Sequence, residues 1–132
     1  MSRLTLEELI ERKRQSDDDK VKYKAVHSDL LGGEIMVKKL PLRQVTALID
    51  RYPNPNPNTT ESMEMAQELI YRSCDLFRNA ELQKEYGIEG DKYEIVSAVF
   101  DDNLEELTKV SEEILDFYFT KGMPSIAELK NS

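Results

Sequence analysis

The chain has no tryptophan, five glycines, one cysteine and one histidine in 132 residues. So little glycine, with no tryptophan, argues against a loop-rich or propeller-like fold. Cys74 has no second cysteine to pair with, so an intramolecular disulfide is excluded and a reducing compartment is expected. A mixed zinc site needs several nitrogen and sulfur ligands converging at short range, and His27 and Cys74 are each alone. The same scarcity removes Ser-His-Asp and Cys-His catalysis, except through His27 itself. No apolar run approaches the roughly 20 residues needed to span a bilayer. The opening Met1-Ser2-Arg3-Leu4-Thr5 lacks the apolar stretch of a signal peptide. The expectation is a soluble, cytoplasmic protein without a membrane segment.

Hydrophobic residues make up 39% of the chain and charged residues 33%, a globular composition with a heavily charged surface. One domain of this length holds a core without disulfides or metal. The net charge of −8 is unevenly placed. Residues 1–52 carry 11 Lys+Arg against 9 Asp+Glu, or +2, and residues 53–132 carry 7 against 17, or −10. An acidic C-terminal part disfavours nucleic acid and anionic membranes, both polyanions, and suits solubility or a basic protein partner.

Capping signals and periodicity divide the chain. Thr5-Leu6-Glu7-Glu8 has capping-box spacing ahead of a short helix with Leu6, Leu9 and Ile10 on one side. That helix is expected to end near Gln15-Ser16, with a loop at Asp17-Asp18-Asp19, where like charges repel. Residues 20–27 alternate, with Val21, Tyr23 and Ala25 on one face and Lys20, Lys22 and Lys24 on the other. Gly32-Gly33 supplies a turn, and residues 34–39 form a second strand with Ile35 and Val37 on one face. Lys20, Lys22, Lys24, Lys38 and Lys39 would make a basic hairpin face, read as a solvated strand surface rather than a nucleic-acid site.

Pro41 starts a helix carrying Leu42, Val45, Leu48, Ile49 and Tyr52, which must stop at Pro53. Alternating Pro and Asn over 53–58 block helix and central strand, giving a stiff surface loop. Beyond it, Thr59 or Thr60 caps a helix bearing Met63, Ala66, Leu69, Ile70 and Phe77. Asn79 caps a short helix closed by Gly87. Asp91 with Glu94, and Asp102 with Glu105, have capping-box spacing before two further helices, the last being the longest and central. Its stripe is Leu104, Leu107, Val110, Ile114, Leu115, Phe117 and Tyr118. The fold class is therefore α+β, mainly helical, with an N-terminal β-hairpin packed on a helical bundle. It is one domain over 1–132, split into 1–52, the loop 53–58 and 59–132.

Candidate chemistry is thin. Asp101-Asp102 and Glu105-Glu106 imitate an acid/base or metal cluster, yet carboxylates at helix starts are explained by capping and the helix dipole. Asp17-Asp18-Asp19 lacks the glycine and distal glutamate of a calcium loop. Gly32-Gly33 is followed by a strand and no GK[ST], so it is no phosphate loop. Cys74 reads as a small buried hydrophobe on a helix face. Phe117-Tyr118-Phe119 cannot all be buried against one neighbour, which leaves part of the cluster for binding.

Several blocks, in order, resemble the phage XkdN-like family of tail assembly chaperones. They are Leu6-Glu7-Glu8-Leu9-Ile10-Glu11-Arg12-Lys13, Leu31-Gly32-Gly33 with Met36-Val37-Lys38-Lys39, and Glu68-Leu69-Ile70-Tyr71-Arg72-Ser73-Cys74 with Leu82-Gln83. The closest is Ile95-Val96-Ser97-Ala98-Val99-Phe100-Asp101-Asp102-Asn103-Leu104. The Asn-Pro stretch falls outside the pattern. The resemblance implies a non-enzymatic helper that binds the tape measure protein, helps recruit tail tube subunits, and is absent from the mature virion. It implies no catalytic residue and no cofactor. A bacterial host's cytoplasm would be its place, and self-association is left open. Such a protein needs apolar surface for amphipathic helices, and the candidate contacts are Leu9, Ile10, Phe117, Tyr118 and Phe119. The competing readings are a generic intracellular adaptor and a small acid/base hydrolase using clustered carboxylates.

Overall fold

The computed structural model describes residues 3–18, 22–52 and 59–118, the side chains of 16–18 excepted. Its elements are α1 (Leu6–Asp18), β1 (Tyr23–Ser28), β2 (Gly33–Lys38), α2 (Leu42–Asp50), α3 (Thr59–Ser73), a 3₁₀ turn (Asp75–Arg78), α4 (Ala80–Glu85), α5 (Glu94–Val99) and α6 (Leu104–Leu115). This is the expected mainly helical α+β architecture with an N-terminal antiparallel hairpin. The Asn-Pro stretch, Asp19, Lys20, Val21 and Phe119 lie outside the described residues.

The hairpin buries the opposite face of β1 from the one expected. Val26 and Ser28 are buried and Lys24 is half-buried, while Tyr23, Ala25 and His27 face solvent. The register pairs Lys24 with Val37, Val26 with Ile35 and Ser28 with Gly33, so the inward face of β2 decides which face of β1 follows it. Lys24 tolerates this position because its long stem carries the ammonium out to the end of α6. There it donates to the Glu113 carbonyl at 3.0 Å and lies 3.9 Å from Asp116. Lys24 and Lys38 thereby leave the expected basic face, Lys24 by turning inward and Lys38 by pairing with Asp75 at 3.4 Å, while Lys22 and Lys39 stay exposed. Buried Ser28 is satisfied twice, donating to Glu106 at 3.0 Å and accepting from the Leu31 amide at 3.2 Å. The turn lies one residue earlier than expected, with Gly32 at φ 71° and Gly33 already in β2.

The central helix is α3, not α6, and at 15 residues it is also longer than the 12 of α6. Residues 65–71 are buried on every side, and α2, α5, α6 and β2 all pack on α3. Such a helix must satisfy its polar side chains internally. Gln67 donates to the Ser97 hydroxyl of α5, and Glu68 accepts from Arg51 and Arg72. One core unites both sides of the Asn-Pro stretch, from Val26, Val37, Val45 and Leu48 to Phe77, Phe100, Val110 and Ile114. The Phe77 and Phe100 rings lie 5.9 Å apart at its centre. Cys74 is buried, as expected, but sits past the end of α3 rather than on a helix face.

The caps sort by local geometry. Thr5 accepts from the Glu8 amide at 3.2 Å, with its hydroxyl turned to the Glu8 carboxylate. Asn79 accepts from the amides of Glu81 and Leu82. The cap of α6 is Asn103, bonded to the Glu106 amide at 3.0 Å, and not Asp102. Asp91 bonds the Tyr93 amide and shapes the turn leading into α5 without capping that helix directly. Helix α1 runs on through Asp18, where a loop was expected.

Asp101 and Asp102 are occupied by a different task. Both have φ 56°, in the left-handed region. Asp102 N–H donates to the Ser97 carbonyl at 2.8 Å and Asp101 N–H to Ala98 at 3.1 Å, the paired bonds of a Schellman stop. Glycine is the residue this position favours, because left-handed backbone costs about 1–2 kcal/mol where a Cβ is present. Asp101→Gly should therefore raise stability by about 0.5–1 kcal/mol, after the extra chain entropy of glycine. Urea unfolding would show the midpoint move up. A downward shift would mean that the Asp101 carboxylate contributes more than its backbone strain removes.

Candidate protein-binding site

Helices α2 and α6 turn their apolar stripes into the core. Helix α1 has a stripe of the same kind and leaves it in solvent. At a helical turn of 100° per residue, Leu6, Leu9 and Ile10 fall on one side, with Lys13 in line behind them. Leu6 is 69% exposed, Leu9 49% and Ile10 42%, and Leu4 just before the helix is also exposed. Every described side chain from 3 to 15 is exposed, and α1 packs extensively on no other element. Arg12, Lys13 and Arg14 gather around the C-terminal end of this stripe, with Arg14 3.9 Å from Glu11. The result is an apolar strip with an acidic first turn and a basic far end.

The magnitude of that strip sets what it can do. Burying a leucine or isoleucine side chain contributes about 1.5–3 kcal/mol. Three give roughly 5–9 kcal/mol before the association cost of about 4–15 kcal/mol. One such contact is weak, and useful affinity needs either a larger groove on the partner or many contacts along one partner.

The aromatic candidates are placed differently. Phe117 and Tyr118 are half-buried against the core, just beyond α6. The Tyr118 hydroxyl accepts from the Leu40 amide at 2.8 Å and donates to the Leu40 carbonyl at 3.0 Å, tying the segment just past α6 to the β2–α2 connector. Lys39 lies 5.6 Å over its ring. Burial pushes the Tyr118 phenol up, and the Leu40 bond only partly offsets it. Among the described residues no hydrogen bond, ion pair or ring contact joins Leu9 and Ile10 to Phe117 and Tyr118.

Tyr52, at the end of the α2 segment, titrates still higher. Burial first, then Glu68 and Glu64, push its phenol from 10.0 up to about 12. A folded-state pKa above the unfolded one favours the neutral phenol in the fold. That stability is complete below pH 10 and is lost as the pH rises towards about 12. The urea midpoint is expected to fall across that window, and Tyr52→Phe to flatten part of the fall. An equal fall in the variant would assign it to general repulsion in this acidic chain.

Other sequence candidates are accounted for locally. His27 is exposed at the strand end, its Nε2 2.8 Å from Asp29. Burial pushes the Cys74 thiol up, against its neutral-pH ionisation. Asp29, Leu104, Glu105, Glu106, Lys109 and Glu112 line an open depression of about 620 Å³ between the hairpin turn and α6. Among the described residues no group of three or more His, Cys, Asp or Glu is arranged to hold a metal ion. No described helix is long and apolar enough to cross a membrane. Exposed Leu6 belongs to the same strip as Leu9 and Ile10, as its spacing implies, and exposed Leu4 adjoins it just before the helix. No protein family, curated protein or solved structure matches the chain.

Proposed function

We propose that this chain is a phage tail assembly chaperone that shelters apolar stripes of the tape measure protein through α1, and that it makes and breaks no bonds. Two observations support the reading. The ordered blocks that resemble the chaperone family include the α1 segment, and the apolar stripe of α1 stays exposed, with no extensive packing of that helix on another element among the described residues. The other blocks have internal work. Leu31-Gly32-Gly33 turns the hairpin, the Glu68-to-Cys74 block fills the core, and Phe100-Asp101-Asp102-Asn103 seats a core ring, stops α5 and caps α6.

An amphipathic helix with its apolar face in water is a helix-in-groove ligand, or one half of a helix pair. A tape measure protein offers many amphipathic turns along one chain, so weak contacts add through effective concentration. The charged exterior then keeps the complex dispersed. Co-expression with the tape measure protein of the same phage tests this directly. The long protein should move into the soluble fraction and co-purify with this chain. Equal insolubility with and without it would end the reading.

A further inference from the structure

In a chain of net charge −8, one depression is lined by cations. It is open, about 360 Å³, and lies where five segments meet. Lys38 comes from the end of β2, Gln44 from the first turn of α2, Tyr71 and Arg72 from the last turns of α3, Arg78 from the 3₁₀ turn, and Lys92 from the approach to α5. Two carboxylates are held against these four cations. Asp75 pairs with Lys38 and Arg78, and Glu68 pairs with Arg72. Four against two leaves a surplus of two positive charges.

The cations are held in place rather than waving in solvent. The side chains of Lys38, Arg72 and Arg78 are only 30–32% exposed. Arg78 donates to the carbonyls of Tyr71 at 2.9 Å and Arg72 at 2.7 Å, closing the end of α3. Arg72 donates to Glu68 at 3.2 Å and to the Tyr93 hydroxyl at 3.1 Å. Lys92 sits 5.6 Å and 5.5 Å from the ring centres of Tyr71 and Tyr93, with no carboxylate in ion-pair reach among the described residues. Pro41 stands at the cap position of α2, and no side chain caps that helix. Its uncapped start, next to Leu40 and Gln44 on the wall, adds partial positive charge.

We infer that this depression is a phosphate-binding site, taking a free or ligand-borne phosphate group between Lys38, Arg72, Arg78 and Lys92. A dianion matches the surplus of two charges, and guanidinium forks suit the tetrahedral oxygens. Lys92 supplies the cation not already committed to a carboxylate. The site goes beyond the chaperone reading and uses none of the residues of α1.

The test is a two-dimensional ¹H–¹⁵N titration of the full chain at pH 7.5 and constant ionic strength. Inorganic phosphate, O-phosphoserine and acetate are the three probes. Saturable shifts are expected at the amides of Leu42 and Arg43 and at the Nε–H of Arg78. The tighter of the two phosphate probes identifies the source as free or ligand-borne. Lys92→Glu should weaken phosphate about tenfold or more, as loss and reversal of one charge-assisted contact implies. Lys109→Glu, the same charge change at the other depression, should leave the affinity within about twofold. Shifts that stay linear and scattered, acetate binding as tightly as phosphate, or equal weakening by Lys109→Glu would each overturn the proposal. Should Lys92→Glu disturb the spectrum elsewhere, Lys92→Met carries the comparison by removing the charge without reversing it.

Discussion

Aspartate at Leu9 and Ile10 together should leave the melting temperature within a degree or two and abolish partner binding. Both side chains are exposed, on a helix with no extensive packing on another element among the described residues. Surface changes of this kind usually fall within about 0.5 kcal/mol, and lower helix propensity costs α1 a further few tenths per residue. The effect on binding is of another size. Losing two buried aliphatic side chains removes roughly 3–6 kcal/mol, and seating carboxylates in their place costs more. That is a loss of more than about a hundredfold in affinity. Thermal unfolding and co-purification with the tape measure protein, measured on the same variant, separate the two effects. A fall of several degrees would show that α1 rests on the core. Binding that persists would move the contact off α1. Phe117→Asp and Tyr118→Asp make a poor substitute, because these rings are packed on the core and Tyr118 clamps Leu40. Loss of binding there would report unfolding.

How much of this was legible in the sequence depends on the range of the interaction. Local signals read well: Thr5 and Asn79 cap as their spacing implies, and Ile35 and Val37 face inward. Failure came where a partner far along the chain decides. In β1 both faces carry plausible residues, and only pairing with β2 and the reach of Lys24 to Glu113 settle which is buried. Asn103 displaced Asp102 as the cap because Asp102 was taken by the left-handed stop of α5. Glu106 then reaches across to Ser28, 78 positions away. The apolar stripe of α1 was visible, but a stripe looks the same whether or not anything covers it. The basic depression could not be seen at all, since its cations come from segments spread over Lys38 to Lys92. The centrality of α3 was hidden by its polar residues, whose partners are Arg51 and Ser97.

Glu68 gives the largest stability effect expected from a single polar side chain. It is 4% exposed at the middle of α3 and accepts from Arg51 and Arg72 through one carboxylate oxygen. Arg51 follows α2 and Glu68 lies in α3, so the pair spans the Asn-Pro stretch and joins the hairpin side of the chain to the helical side. Glu68→Ala leaves two guanidinium groups facing a cavity without their anion. Removing one partner of a buried pair costs about 3–5 kcal/mol. Arg51 and Arg72 keep 47% and 30% exposure, so water recovers part of that loss and the lower end, about 3 kcal/mol, is expected. Glu68→Gln keeps the shape and one acceptor while removing the charge, and should cost about 1–2 kcal/mol. The ordering Ala below Gln below Glu in urea midpoint is the result to look for. Against a total stability of about 5–15 kcal/mol, the alanine variant would be visibly compromised at physiological temperature. A loss below about 1 kcal/mol in Glu68→Ala would mean that water already screens the pair. In that case apolar packing of α2 on α3 through Val45, Leu48 and Ile49 holds the two sides together without it.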